Sequence, residues 1–280
     1  MFWLHCTSNL KLLVRFLLLS VFLVLVMSMT CYILTIAVYI YVKELRNTLG
    51  KCVISSLFWS FVTDLICTVA FLLKTRVPCS EYLSINFFSN ASILWRSVIG
   101  YYFWQTFKSG KRGDHPYQFV VYNVLVWILA ALMIGYDVLI KEQIRDSIHY
   151  IMPGLQNYML LLILCIYDLI MFIRTVIHVR KTRKELKIKA LRQQEETTTS
   201  GHKFDIETYH QFRRMSVIMG VYWTNRLSYF FMKVLDLCET IIADISNLLN
   251  CSILGFGMFV FVVLIINRST LTLLVDRFRE

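Results

Sequence analysis

Four ionisable side chains, Asp64, Arg96, Asp168 and Arg226, stand inside long apolar runs of the sequence. A charge at the centre of a bilayer costs about 2.5–3.5 kcal/mol on insertion scales, so such residues face neighbouring helices and find partners there. Asp64 and Arg96 lie on consecutive apolar runs, as do Asp168 and Arg226. We therefore predict the pairs Asp64–Arg96 and Asp168–Arg226. Each pair either holds two helices in register or forms the floor of a ligand cavity or a switch.

Two amides, Asn247 and Asn250, lie three residues apart in the last apolar run and are predicted to share one helix face. Hydrogen bonds between helices in membranes are worth about 0.6 kcal/mol each, so both amides are predicted to bridge helices. The sequence contains no Gly-rich phosphate loop, no zinc-protease motif and no Cys-x-x-Cys pair, and its six histidines are scattered. We predict no enzyme activity, no metal site and no cofactor.

The apolar runs that carry these residues are long enough to cross a bilayer. Of the residues, 57% are apolar and 17% are charged, whereas soluble domains have about 25% charged residues. A spanning helix needs about 20 apolar residues, and runs of this length without two-residue alternation exclude a barrel. Seven runs qualify, at residues 16–42, 52–73, 83–107, 119–140, 158–179, 215–235 and 241–266. The predicted fold is an all-α, polytopic bundle of seven transmembrane helices.

Basic residues predict the orientation of these spans. Of the 29 Lys and Arg residues, 19 fall in the first, third and fifth connections and the tail, six fall on the other side, and four lie within spans. Because cytoplasmic loops are enriched in Lys and Arg, this predicts an extracellular N-terminus (1–15), a third cytoplasmic loop (180–214) and a cytoplasmic tail with a short surface helix (267–280). Lys11 and Arg15 alone favour the reverse orientation. The basic residues behind the net charge of +11 are concentrated in the short segments between apolar runs, so no nucleic-acid partner is predicted.

Four short strings occur in order on four predicted spans or their ends. They are residues 45–52 (LRNTLGKC), 101–107 (YYFWQTF, after Trp95), 171–179 (MFIRTVIHV) and 219–223 (MGVYW). This set resembles the seven-helix domain of the Methuselah-like receptors, a secretin-like (class B) branch of the G-protein-coupled receptors. The resemblance covers nearly the whole chain. It implies a plasma-membrane receptor that carries an unknown extracellular signal to a heterotrimeric G protein by outward movement of span six.

The resemblance also implies where the G protein would bind, namely the basic residues on the cytoplasmic side. These are Arg46, Lys51, Arg180, Lys181, Arg183, Lys184, Arg213 and Arg214. The same residues fit a simple positive-inside signal that attracts anionic membrane lipids, at about 1 kcal/mol per basic residue. Both interpretations stay open at this point.

The sequence departs from the family pattern at several positions. Only about 15 residues precede the first span, so we expect a receptor core without the large family ectodomain. The family bridge from the third helix to the second outer loop has no second Cys, and Cys79 and Cys238 are left as candidates for a disulfide in the oxidising exterior. Arg226 replaces a usual acidic residue, and Asp168 replaces a usual Asn.

Two alternative functions stay open. A seven-span subunit of a chemosensory ion channel would have a cytosolic N-terminus. A receptor relative lacking its ectodomain could instead traffic or form a receptor dimer with full-length relatives without signalling alone.

Overall fold

The computed structural model describes residues 2–72, 79–109, 117–144, 162–181, 210–225, 227–228, 255–266, 270–272 and 274–275. Within these ranges the chain is helical and contains no strand, which confirms the predicted all-α class. The helices are α1 (Phe2–Tyr41), α2 (Thr48–Leu72), α3 (Cys79–Ser109), α4 (Gln118–Ile144), α5 (162–181), α6 (210–225) and α7 (Phe256–Leu264). A short 3-10 turn, Lys43–Leu45, joins α1 to α2.

Turn residues mark the starts of the helices. The Asn47 Oδ1 atom accepts a hydrogen bond of 2.7 Å from the Gly50 amide, which is the usual N-cap arrangement at the first turn of α2. Pro78 directly precedes α3, and Pro116 lies two residues before α4. The α1 helix begins at Phe2, before the residue at which the hydropathy pattern starts the first span. Lys11 and Arg15 interrupt that pattern, but both residues are compatible with a helix.

Four of the described helices are long and apolar enough to cross a membrane. They contain the segments Phe22–Tyr41, Thr48–Val69, Gln118–Leu139 and Leu162–Lys181. Hydroxyl groups within these segments donate to the backbone carbonyl one turn earlier, as from Thr35 to Cys31 at 2.7 Å and from Thr175 to Met171 at 2.8 Å. Such bonds satisfy the hydroxyl group without water, so these residues are tolerated in an apolar environment.

The α3 helix is more polar than these four and lies at the centre of the unit formed by residues 39–223. It packs against α2 and α4, and its residues 91–97 are all buried. Phe103 on α3 also contacts Phe212 on α6. A helix enclosed by other helices need not present apolar side chains to lipid, which explains its polar composition.

A second unit combines residues 1–38 with residues 224–280. Here α1 and α7 approach each other closely at Ser28 and Gly257. The Gly257 amide donates to the Ser28 hydroxyl at 3.0 Å, and a Cβ atom on Gly257 would collide with the Ser28 carbonyl oxygen and lie 2.9 Å from the Tyr32 ring. The absence of a side chain at residue 257 therefore sets the distance between these two helices.

Candidate functional site

Arg96 on α3 is a buried cation, with 5% of its surface exposed. Its Nη2 atom donates to the Ser60 hydroxyl on α2 at 2.8 Å. Its guanidinium carbon lies 3.6 Å from the centre of the Tyr222 ring on α6. A guanidinium over an aromatic face is stabilised by the ring quadrupole, and more strongly where water is excluded. Arg96 thus connects α3 to α2 by a hydrogen bond and to α6 by a cation–π contact.

The Ser60 hydroxyl lies at the contact between α2 and α3. It lies 2.6 Å from the Ser92 hydroxyl on α3 and donates to the Ser56 carbonyl at 2.9 Å. If the Ser60 proton goes to Ser56, the same oxygen accepts from both Arg96 and Ser92. Both acceptor positions and the one donor of the hydroxyl are then used, as a buried polar group requires. The α2–α3 contact is therefore built from small, fully satisfied polar side chains.

Asp168 on α5 is a buried acidic residue, with 4% of its surface exposed. Its Oδ2 atom accepts a hydrogen bond of 3.0 Å from the indole Nε1 of Trp223 on α6. The second carboxylate oxygen, Oδ1, is buried without a hydrogen-bond partner among the described residues. Asp168 therefore has the capacity to bind one more donor.

Tyr222 and Trp223 are consecutive on α6 and contact opposite charges on two different helices. Tyr222 covers the cation on α3, whereas Trp223 donates to the anion on α5. Both aromatic side chains are buried. We call this set the mid-helix cluster; its members are Ser60, Ser92, Arg96, Asp168, Tyr222 and Trp223. The cluster connects α6 to α3 and α5 through two contacts that depend on the rotation and position of α6.

The predicted intramembrane residues are only partly described. Asp64 on α2 is half-buried, and its backbone carbonyl accepts from the Thr68 hydroxyl at 2.6 Å. The pairing of Asp64 with Arg96 stays a prediction. Arg226, Asn247 and Asn250 lie outside the described residues, so their predicted roles stay predictions as well.

The predicted coupling residues that the structure describes lie at helix ends. Arg46, Lys51, Arg180, Lys181 and Arg213 are exposed, and Arg214 is half-buried. The Lys51 ammonium group lies 5.8 Å from the centre of the Phe119 ring. Arg183, Lys184 and Cys238 lie outside the described residues, as does the side chain of Cys79 at the start of α3. Among the described thiols, Cys31, Cys52 and Cys165 are free.

Sequence reasoning identified the two charges of the cluster but missed its neutral members. Serine and tryptophan are common in membrane helices, and nothing in their spacing shows which of them will face a charge. Asp137 on α4 was also missed, although 6% exposure marks it as buried. An acidic residue within an apolar run was the available signal at that position. No group of His, Cys, Asp and Glu suitable for a metal occurs among the residues searched, which are the described ones.

Comparison with known proteins identifies relatives of this chain. No family model matches the sequence. "Probable G-protein coupled receptor Mth-like 12" of Drosophila melanogaster is 32% identical over 90% of this chain and 55% of its own length. "Probable G-protein coupled receptor Mth-like 7" of the same organism is 33% identical over 90% of this chain and 54% of its own length. The chain thus spans about half the length of these relatives.

A solved structure shows the same fold. The crystal structure of squid rhodopsin superimposes with a TM-score of 0.70 at 12% identity, covering 92% of this chain and 83% of rhodopsin. At this identity the likeness concerns the fold alone. Together with the apolar helices, these similarities confirm both the predicted resemblance and the predicted fold class. The chain is a multi-pass membrane protein with the helical fold of rhodopsin, and over 90% of its length it is similar to the Methuselah-like G-protein-coupled receptors.

Proposed function

We propose that this chain is the transmembrane signalling core of a G-protein-coupled receptor. The observation that carries the proposal is the similarity to receptors of the Methuselah-like group over 90% of the chain. The chain would pass an extracellular signal to a heterotrimeric G protein through a rearrangement of its helices. The fold shared with rhodopsin supports this proposal, and the ion-channel alternative has no comparable support.

The mid-helix cluster supplies a mechanism for that rearrangement. Tyr222 and Trp223 connect α6 to Arg96 on α3 and to Asp168 on α5. A ligand shifts a conformational equilibrium only by binding one state better than the other. A ligand group that competes with Trp223 for Asp168 Oδ2 would favour the state in which α6 has moved. The cluster would then act as the switch that senses the ligand.

The exposed basic residues at the ends of α2, α5 and α6 would form the coupling surface. Lys51, Arg180, Lys181 and Arg213 all extend from helix ends that the basic-residue count assigns to the cytosol. The C-terminus would then be cytosolic, the N-terminus extracellular and the plasma membrane the site of action. Anionic lipids of the inner leaflet would contact the same residues.

A panel of G-protein dissociation sensors tests the coupling. The tagged chain is expressed with each Gα class in turn, and surface density is matched by antibody labelling. We expect basal dissociation above that of vector-transfected cells for at least one Gα class. A chain carrying Arg180→Ala and Lys181→Ala at equal surface density should lose most of that increase. Vector-level dissociation for every class, at a normal surface density, would contradict the proposal.

Tagging each terminus tests the orientation. On intact cells, antibody should reach the N-terminal tag alone, and the C-terminal tag should require permeabilisation. A C-terminal tag accessible on intact cells, or both tags in one compartment, would reject the receptor orientation. A cytosolic N-terminus with an extracellular C-terminus would instead favour the channel alternative.

Association with a second receptor chain is part of the proposal. Energy transfer between two differently tagged copies at low surface density measures it. Transfer that grows only with density, as random collision does, would reject a dimer.

A further inference from the structure

Arg174 on α5 is a charged side chain on the outer surface of an apolar helix. The segment Leu162–Lys181 is long and apolar enough to cross a membrane. Arg174 lies seven residues before Lys181, which places it about 10 Å from that end of the segment, since each residue of a helix rises about 1.5 Å. Unlike the buried Arg96, Arg174 is exposed. Arg174 therefore faces the hydrocarbon of the bilayer rather than other helices.

The side chains that surround Arg174 on this surface are apolar. Ile170, Ile173 and Ile177 all lie within one turn of Arg174, and all three are exposed. A charge in such an environment is costly, and charged residues of membrane helices normally face other helices and pair there. Arg174 therefore needs a counter-ion on the outer surface of α5.

The described part of the chain does not supply that counter-ion. No hydrogen bond or ion pair joins Arg174 to another described residue. Of the acidic side chains described within the helices, Asp64 is half-buried, and Asp137 and Asp168 are buried. The described helices of a second copy therefore present no exposed carboxylate to Arg174 either.

Two further basic side chains lie on the same side of α5, between Arg174 and the end of the helix. His178 and Lys181 follow Arg174 by four and seven residues, so the three side chains lie in one line along the helix. His178 is half-buried and Lys181 is exposed. Arg180 is exposed as well, but six residues of helix place it about 120° around the axis from Arg174. The line leads from the hydrocarbon to the surface of the bilayer.

A lipid phosphate fits this line better than a carboxylate of a neighbouring transmembrane helix. Long basic side chains extend along apolar surface toward the bilayer surface, where the phosphates of lipids lie. A guanidinium binds phosphate through two parallel hydrogen bonds. A single carboxylate opposite Arg174 would neutralise that residue alone and leave His178 and Lys181 without a role.

We propose that Arg174, His178 and Lys181 bind the headgroup of a phosphomonoester phospholipid, of which phosphatidic acid is the simplest, and that Arg174 holds the phosphate. A phosphomonoester carries a charge of about −1.5 to −2 near neutral pH and three terminal oxygens that accept hydrogen bonds. A diester headgroup carries less charge and an additional alcohol, which hinders its descent to the level of Arg174. The site requires only that α5 crosses a bilayer, so it is independent of G-protein coupling.

Photocrosslinking tests the site on the full chain in phosphatidylcholine vesicles that contain a trace of radiolabelled phosphatidic acid. A photoreactive phenylalanine analogue replaces Ile177, next to the line. Unlabelled phosphatidic acid should compete for the crosslink about fivefold better than phosphatidylserine, the difference expected from one basic contact. The same analogue at Ile163, which is exposed near the other end of α5, should show no such preference.

Substitutions then assign the preference to individual residues. Arg174→Gln should abolish it, and His178→Gln should weaken it. Arg174→Lys keeps the charge but cannot form two parallel hydrogen bonds, so it should retain only part of the preference. Arg180→Gln removes the same type of side chain from another side of the helix and should retain all of it.

Each other result would overturn the proposal. Equal competition by phosphatidic acid and phosphatidylserine in the wild type would reject a phosphomonoester site. Equal losses in Arg174→Gln and Arg180→Gln would show general attraction by basic residues instead of a site. In cell membranes, a crosslink from residue 177 to a protein that disappears in Arg174→Gln would identify a partner helix in place of the lipid. An Arg174→Gln chain that does not fold would make Arg174 a structural residue.

Discussion

The α3 helix is joined to α2 and α4 on one side and to α6 on another, and the two sides are built differently. Toward α2 and α4, small side chains hydrogen-bond directly, as Ser60 and Ser92 do at 2.6 Å. The Trp59 ring stacks on Phe88 at 5.1 Å and meets the Trp127 ring edge-on at 4.8 Å. These are short contacts between rigid groups, and they fix the distance between the helix axes.

Toward α6, the contacts are made by the ends of long side chains. Arg96 reaches the Tyr222 ring, and the Phe103 ring touches that of Phe212. Gly100 lies between these two contacts on α3. A Cβ atom added to Gly100 would lie 3.6 Å from the Cε atom of Met219, which is an ordinary van der Waals distance. Flexible side chains adapt to more than one helix position. The comparison indicates a permanent interface toward α2 and α4 and a separable one toward α6.

The largest effect should follow from breaking the predicted pair of Asp168 and Arg226. If the two residues pair, Asp168→Arg and Arg226→Asp each leave an uncompensated charge, which costs about 3–5 kcal/mol where a buried pair is broken. Each single variant should be retained inside the cell, and the double variant should recover surface expression. Antibody labelling of intact cells measures this. A double variant no better than the single variants would reject the pairing.

The next largest effect should come from overpacking the permanent interface between α3 and α2. Ser92→Leu forces a larger side chain between α2 and α3 and removes the hydrogen bond to Ser60. Together these changes should lower the free energy of unfolding by about 2–4 kcal/mol. Thermal unfolding of the purified protein should show the loss, without a gain in basal signalling per folded molecule. Ser84→Leu, at an exposed position of the same helix, is the matched control and should unfold like the wild type.

Removing the indole donor should destabilise the separable side and raise signalling. Trp223→Phe keeps an aromatic but smaller ring and removes the hydrogen bond to Asp168, which is worth about 1.5–3 kcal/mol when one partner is charged. We expect a lower unfolding temperature together with basal dissociation raised about tenfold, because this bond would stabilise only the state in which α6 contacts α5. If the unfolding temperature falls and basal signalling does not rise, the cluster is structural and is not a switch.

The smallest of these effects should come from the cation–π contact. Tyr222→Leu removes the face over Arg96, at a cost of about 1–2 kcal/mol for a desolvated pair. Tyr222→Phe retains that face, so its stability and signalling should match the wild type more closely. Equal losses in both variants would show that the hydroxyl group, rather than the ring face, stabilises this position.

The sequence pointed to the charged residues of the mid-helix cluster but not to the neutral residues that contact them. An apolar run interrupted by Asp168 or Arg96 predicts a residue that faces other helices, because lipid excludes it. The rotation of α6, which brings Tyr222 and Trp223 onto those charges, follows from packing among several helices and has no periodic signature. The Ser60–Ser92 contact is invisible for the same reason, since serines at other helix positions look identical in the sequence.

The helix positions were predictable where lipid sets the composition. The four segments that pass the length and hydropathy requirements overlap predicted spans. The α3 helix is also long enough to cross a bilayer, but it is more polar. It can be more polar because it packs against other helices rather than against lipid. Its predicted span, 83–107, lies within α3, and its boundaries remain a prediction. The ends of α1 and α3 extend beyond the apolar runs, since hydrogen bonding continues a helix past the edge of the lipid.

The close approach of Ser28 and Gly257 has a consequence for biogenesis. The two residues are separated by 229 positions in the chain. Because synthesis runs from the N-terminus, α1 enters the membrane long before its partner exists. The surface of α1 around Ser28 is therefore covered by lipid or by the insertion machinery until α7 has been synthesised. Closure of this contact is therefore a late step of assembly, at which quality control could distinguish finished chains from incomplete ones.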